Sequence, residues 1–194
     1  IIAEPSGYFN CEIGQKGCCW LKLTASGVPA HGSLAPFVGE NAIEKLMRVL
    51  GHITDLRNIP ARYDDDTAAV MEDSKQNARR RLTAKGAAHV LNHCSVNIGK
   101  INGGTKINMV PDHAEAEVDI RVPIGISTKT VEEEICRIIQ ESGAQDVEYS
   151  FSWRSEPNST PRTADIVECL AENVQEIWKE PLTRTYQWAS SDAR

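Results

Sequence analysis

A histidine lies in a short segment rich in glycine and proline, Gly27-Val28-Pro29-Ala30-His31-Gly32-Ser33. A strand-like run precedes the segment and a helical run follows it, which predicts a connecting loop. A loop histidine that is exposed can donate or accept a proton near neutral pH, so His31 is a candidate for chemistry at a reacting group. On local spacing alone, an ordinary surface histidine in a turn is the favoured alternative.

Three more short patterns accompany this loop in a fixed order. They are Glu4-Pro5-Ser6 before it, and Gly103-Gly104-Thr105-Lys106-Ile107-Asn108-Met109-Val110-Pro111 and Asp119-Ile120-Arg121-Val122-Pro123 after it. The structural alternatives are a strand-end glutamate at Glu4 and a turn-forming asparagine at Asn108. For Arg121 the alternative is an ion pair with an acid on the same strand face, Asp119 or Glu117.

Alternation of apolar and polar residues predicts the strands that must position these patterns. In residues 17–26 and 113–122 the apolar positions fall on one face: Cys19, Leu21, Leu23 and Ala25 in the first segment, and Ala114, Ala116, Val118, Ile120 and Val122 in the second. Residues 93–101 and 147–153 alternate in the same way. Four strands are therefore expected.

Helical periodicity predicts two helices between these strands. The first begins at about Asn41, where Asn41 and Glu44 have capping-box spacing, and its apolar face is Ile43, Leu46, Met47, Leu50 and Ile53. The second covers about 129–142, with Gly143 as a C-terminal cap. The order β-α-β-β-α-β predicts an α+β, ferredoxin-like domain with a four-stranded antiparallel sheet and two helices on one face.

We expect this domain to span residues 15–155, with a charged, partly helical surface insertion at 58–91. Residues 1–14 and 156–194, the latter with a helix at about 163–179 and a short strand near 184–189, do not fit the ferredoxin-like unit. They are interpreted as segments of a second, α/β domain. The chain is therefore expected to be a segment of a longer protein.

Composition excludes several classes of function. The net charge of −6 argues against nucleic acid as a partner. No apolar run approaches the roughly 20 residues that cross a bilayer, and residues 1–5 have neither the basic start nor the apolar core of a signal peptide. The six cysteines form no C-x-x-C pair, so buried thiols in a reducing, cytoplasmic compartment are expected, with a disulfide framework as the alternative.

Taken together, the four ordered patterns on a β-α-β-β-α-β frame resemble the dinuclear-zinc amidohydrolases and peptidases that include acetylornithine deacetylase, succinyl-diaminopimelate desuccinylase and aminoacylase. The resemblance covers essentially the whole chain. It implies that residues 15–155 are the lid, or dimerisation, domain, and that 1–14 and 156–194 belong to the catalytic domain. Ser190-Ser191-Asp192 resembles the segment by which the returning catalytic chain approaches substrate.

The resemblance also implies roles for the motif residues. Glu4 would be a carboxylate ligand of one of two zinc ions. His31 would reach the active site of the neighbouring subunit in a homodimer and donate a hydrogen bond to the oxyanion of the tetrahedral intermediate. Asn108 would bind a substrate carbonyl or carboxylate, and Arg121 would hold the free carboxylate of the substrate with its guanidinium fork.

The remaining zinc ligands and the general base of this family are expected outside the chain, so the segment is expected to be inactive alone. His89 and His93 lie four residues apart, but a zinc site there is disfavoured because residue 93 opens a strand. The expected whole is a zinc-dependent hydrolase that cleaves the amide bond of an N-acyl amino acid or small peptide with a free carboxylate. The alternative is a stand-alone ferredoxin-like module that binds a ligand or dimerises without catalysis.

Overall fold

The computed structural model describes residues 6–191, and its larger sheet has the four predicted strands. They are β2 (Gly17–Ser26), β3 (Ser95–Gly103), β4 (His113–Val122) and β5 (Glu148–Ser155). The order across the sheet is β3-β4-β2-β5, and every neighbouring pair is antiparallel. With helices α1 (Ala42–Ile53) and α3 (Thr128–Glu141), this confirms the predicted ferredoxin-like, mixed α and β fold.

The core of this unit lies between the sheet and the two helices. The predicted apolar faces of β2 and β4 are buried there, together with Leu46, Val49 and Ile53 of α1 and Val131, Ile135 and Ile138 of α3. Met47 was predicted on the buried face of α1, but it is 59% exposed. The buried stripe instead follows the i, i+3, i+4 spacing through Leu46, Val49 and Ile53.

A second, three-stranded sheet contains β1 (Asn10–Gln15), β6 (Asn158–Ser159) and β7 (Thr183–Gln187), in the order β6-β1-β7. Strand β1 pairs in parallel with β7 and antiparallel with β6. Helices α2 (Asp65–Arg81) and α4 (Asp165–Trp178) accompany this sheet. The sheet thus joins strands from near both ends of the described chain.

Helix α2, within the predicted insertion, packs one face against this second sheet. Val70, Met71 and Ala78 are buried in a cluster with Tyr186 of β7. The hydroxyl of Ser74 also accepts a hydrogen bond from the backbone N–H of Tyr186 at 2.7 Å. The charged residues of 58–91 are solvated, as the sequence indicates, but the helix as a whole contributes to a second core.

No helix in the described range 6–191 is long and apolar enough to cross a membrane.

Candidate functional site

His31 and Asn108 lie on two loops that pair with each other. The first, residues 27–40, follows β2, and the second, residues 104–112, joins β3 to β4. The loops form an antiparallel bridge at His31 and Met109. The N–H of Gly32 donates to the Asn108 carbonyl at 2.8 Å, and the N–H of Val110 donates to the Ala30 carbonyl at 2.9 Å.

These hydrogen bonds flank the His31–Met109 pair without joining the two residues directly. Side chains at such a position lie on the same side, with Cβ atoms about 4.5–5.5 Å apart. The imidazole of His31 and the thioether of Met109 therefore project together, and Asn108 is next along the chain. His31 is exposed and Met109 is 40% exposed, so both side chains are accessible to a ligand.

Two contacts with Ser33 favour one tautomer of the neutral His31 ring. The backbone N–H of Ser33 donates to Nδ1 at 3.3 Å, and the Ser33 hydroxyl lies 2.7 Å from the same nitrogen. Because a backbone N–H can only donate, Nδ1 accepts and the neutral ring carries its proton on Nε2. The imidazole thus presents an N–H donor away from the loop that holds it.

Gly27 is where the two loops and the start of α1 converge. Its N–H donates to the Asp112 carbonyl at 2.8 Å, while the N–H of Ala42 donates to the Pro111 carbonyl at 3.0 Å. A Cβ at position 27 would lie 2.2 Å from the carbonyl oxygen of Glu40 and 2.6 Å from that of Pro111. Only glycine permits this close approach of backbones.

Arg121 lies near the opposite end of β4 from these loops, roughly 26 Å from His113 at the usual rise of about 3.3 Å per residue. Its Nε lies 2.9 Å from Oδ1 of Asp119, which is the ion pair considered as an alternative role. Its Nη1 also donates to the hydroxyl of Ser190 at 3.4 Å. The structure places His31 and Asn108 on paired loops, and it does not bring Arg121 of the same copy to them.

Lys16, which belongs to none of the sequence motifs, lies buried at the Arg121 end of the sheet. Its Nζ donates to the carbonyls of Val90 and His93 at 2.7 and 2.9 Å and to the hydroxyl of Ser95 at 3.2 Å. Burial lowers the pKa of Lys16 to about 8. A lysine in the short connection between two strands was the available signal, but its acceptors come from a distant segment.

The remaining predicted groups give no metal site within residues 6–191. Glu4 and Asp192 lie outside the described residues. The rings of His89 and His93 have centroids 5.7 Å apart, and Nδ1 of His93 lies 3.0 Å from the carbonyl oxygen of His89. No three side chains of His, Cys, Asp or Glu in the described range lie together in a way that could hold a metal ion.

The chain is similar in sequence to known proteins. Residues 13–147 match the family described as the peptidase dimerisation domain. The chain is 29% identical over 161 residues to aminoacylase-1 of Mus musculus, covering 82% of this chain and 34% of that protein. It is 32% identical over 127 residues to a probable succinyl-diaminopimelate desuccinylase of Staphylococcus aureus, covering 62% of this chain and 30% of that protein.

The fold is likewise similar to that of a metallo-carboxypeptidase from Sulfolobus solfataricus. The TM-score is 0.70 at 16% identity, over 93% of this chain and 47% of that one. The chain spans about a third of the length of the curated relatives it matches. These matches confirm the family resemblance seen in the ordered sequence patterns.

Proposed function

The chain belongs to the peptidase dimerisation domain family, and we propose that it is the lid of a zinc-dependent hydrolase that acts as a homodimer. Residues 15–155 would be the lid, and 1–14 and 156–194 would belong to the catalytic domain. The large sheet lies wholly within 17–155, whereas the second sheet combines strands from both flanks, which supports this division. The substrate would be an N-acyl amino acid or small peptide with a free carboxylate.

The observation that carries this proposal is the position of the candidate residues at opposite ends of one sheet. His31 and Asn108 share the paired loops, while Arg121 lies roughly 26 Å along β4 and contacts Ser190 of the returning segment. A small substrate cannot span that distance. One active site would therefore combine His31 and Asn108 of one copy with Arg121 of the other.

Each side chain is suited to a distinct task in amide hydrolysis. The Nε2–H of His31 would donate a hydrogen bond to the oxyanion that forms as the amide carbonyl is attacked. The side-chain amide of Asn108 would bind a substrate carbonyl or carboxylate oxygen. The guanidinium of Arg121, oriented by Asp119, would pair with the free carboxylate.

The zinc ions of the proposed enzyme would supply an activated water at the amide carbonyl. Glu4 is the one ligand we propose from this chain, and it lies outside the described residues. Residues 6–191 do not fit a zinc site on their own, because they contain no suitable group of ligands. The roles proposed for this chain are therefore binding, orientation and hydrogen-bond donation.

The exposed edge of β3 is the dimerisation surface that best suits this arrangement. Within residues 6–191, β3 and β5 are the two edge strands of the large sheet, and β3 pairs only with β4. Ile98 and Ile101 on this strand are exposed, and the Asn108 loop follows directly from its end. An unpaired edge with exposed apolar side chains favours pairing with a second copy.

The test is His31→Ala in the full-length gene product, assayed on N-acyl amino acids and dipeptides. Loss of one oxyanion donor is expected to lower kcat by about 10²–10³ with zinc content unchanged. His52→Ala is the matched control, because His52 is an exposed histidine near the end of α1, away from the loops. An unchanged kcat for His31→Ala would remove this residue from the mechanism.

A further inference from the structure

We infer that Lys45 is a positioning residue that fastens both ends of the His31 loop to helix α1. The inference concerns the loop itself, and its consequence for turnover rests on the proposed function. Lys45 belongs to none of the motifs discussed above, and it does not face substrate in the proposed arrangement. Its role follows from the three segments of the chain that accept its hydrogen bonds.

The ammonium of Lys45 connects three separate segments. It donates to the backbone carbonyl of Ser26 at 3.0 Å, to Oε2 of Glu40 at 2.7 Å and to Oδ2 of Asp146 at 2.6 Å. Ser26 is the last residue of β2, and Glu40 is the last residue of loop 27–40. One cation thus holds both ends of the loop that carries His31.

The burial and hydrogen bonding of this ammonium favour a stable contact over a transient surface ion pair. The side chain of Lys45 is only 12% exposed, although both carboxylates are open to solvent. All three donors of the ammonium have acceptors, and two of these acceptors are charged. Hydrogen bonds to Asp146 and then Glu40 raise the pKa of Lys45, and the contact with Lys45 lowers the pKa of Asp146.

The rest of the loop has few other attachments to the helix. A cavity of about 290 Å³ separates Ala35, Pro36 and Val38 from Glu44 and Arg48 of α1, with Lys45 in its wall. Phe37 near the tip is 93% exposed. Apart from its pairing with loop 104–112 at His31, the loop is therefore held at its base, by Lys45 and by the pair of hydrogen bonds between Val28 and Glu40, both 2.9 Å.

Hydrogen exchange followed by mass spectrometry on the full-length gene product tests the inference without relying on activity. Lys45→Met keeps the aliphatic length and removes the ammonium. We expect amide exchange in peptides covering 27–40 to accelerate about tenfold. Peptides covering β4 should exchange at the wild-type rate, because β4 lies in the core away from this contact.

Variants of the two carboxylates that Lys45 contacts, Glu40 and Asp146, separate the effects of its two ion pairs. Glu40→Gln, which weakens the hydrogen bond from Lys45 to the loop, should also accelerate amide exchange in 27–40. Asp146→Asn, which weakens the hydrogen bond from Lys45 to the α3–β5 connection, should leave amide exchange in 27–40 close to wild type. Lys45→Arg, which retains a cation of similar reach, should restore slow exchange.

The activity of the same variants links the loop to catalysis. Lys45→Met is expected to lower kcat about tenfold with KM and zinc content unchanged, and Lys45→Arg should recover most of that loss. Unchanged exchange in 27–40 in both Lys45→Met and Glu40→Gln, or an equal acceleration in β4, would overturn the inference. If His31→Ala leaves kcat intact while Lys45→Met loosens the loop, the proposed function fails and the role of Lys45 in the loop stands.

Discussion

Lys16 and Lys45 lie in surroundings that shift their pKa values in opposite directions. Lys45 is held by two carboxylates, which favour its charged form, whereas the acceptors of Lys16 are uncharged and burial dominates. Lys16 is 2% exposed and is the charged residue that the fold buries most deeply in the described range. The difference makes the stability of the protein depend on pH through Lys16.

Stability should therefore rise with pH through the titration of Lys16. The folded state releases the Lys16 proton near pH 8, while the unfolded chain keeps it to the ordinary value of 10.5. Between these values the unfolded state binds more protons, so the free energy of unfolding increases with pH. From pH 7.5 to 9.5 the gain from this group is about 2 kcal/mol.

Urea unfolding of wild type and Lys16→Met at both pH values measures this effect. The buried thiols of Cys19 and Cys94, whose pKa values burial raises to about 12 and about 11, stay protonated in the folded state over this pH range. Loss of the Lys16 charge raises the pKa of Cys94 further, so the contribution of both thiols cancels in the difference between the two proteins. Lys85→Met, at an exposed lysine, is the control and should give a constant difference. A constant difference for Lys16→Met as well would show that burial does not shift this pKa.

At the residue scale, the sequence predicts candidate residues that stand in a local motif. It does not predict residues whose hydrogen-bond partners are distant in the chain. His31 and Asn108 stand in recognisable turn segments, and both were predicted as site residues. The importance of Lys45 depends on Asp146, and that of Lys16 on Val90, His93 and Ser95. No periodicity in the sequence connects these positions, so only the folded chain identifies the two lysines.

At the scale of elements, the cap of α1, Asn41, lies between the end of the loop 27–40 and the first residue of the helix. Oδ1 of Asn41 accepts from the N–H groups of Ile43 and Glu44 at 2.9 and 3.2 Å, and Nδ2 of Asn41 donates to Oε1 of Glu44 at 3.2 Å. The bond from the Glu44 N–H to Asn41 is one half of the capping box that the spacing predicts, and the Glu44 carboxylate accepts from the side chain of Asn41. The cap satisfies two N–H groups that would otherwise lack a partner at the start of the helix.

Asn41→Ala is expected to lower the free energy of unfolding by about 1 kcal/mol, because the first turn of α1 loses its cap. Asn41→Ser, which retains a side-chain acceptor, should lose much less. Chemical unfolding of both variants against wild type measures the difference. An Asn41→Ala variant as stable as wild type would mean that the cap contributes nothing and that packing alone holds the end of the helix.

The strands and helices of the large sheet could be predicted because each has a clear period. Strand β4 covers His113–Val122, as the alternation of its residues indicates. The second sheet could not be assembled in this way, since β1 and β7 lie far apart in the chain and β6 has only two residues. The buried face of α2 was also missed, because few apolar residues stand among its many charges.

At the scale of the whole molecule, the candidate site residues lie at opposite ends of the large sheet. The loops with His31 and Asn108 lie at one end, and Arg121 with Ser190 lies at the other. Neither half contains the complete set of groups proposed for substrate. A two-fold symmetric dimer would bring opposite halves together twice and create two equivalent sites.

The most direct test of this shared site is a heterodimer made from two inactive variants of the full-length gene product. His31→Ala and Arg121→Ala homodimers should each have little activity, because every site lacks one group. In the heterodimer, purified through two different tags, one site contains both defects and the other contains the intact His31 and Arg121. Activity of about half the wild-type value per dimer is therefore expected. A heterodimer as inactive as its two parents would contradict a site shared between copies.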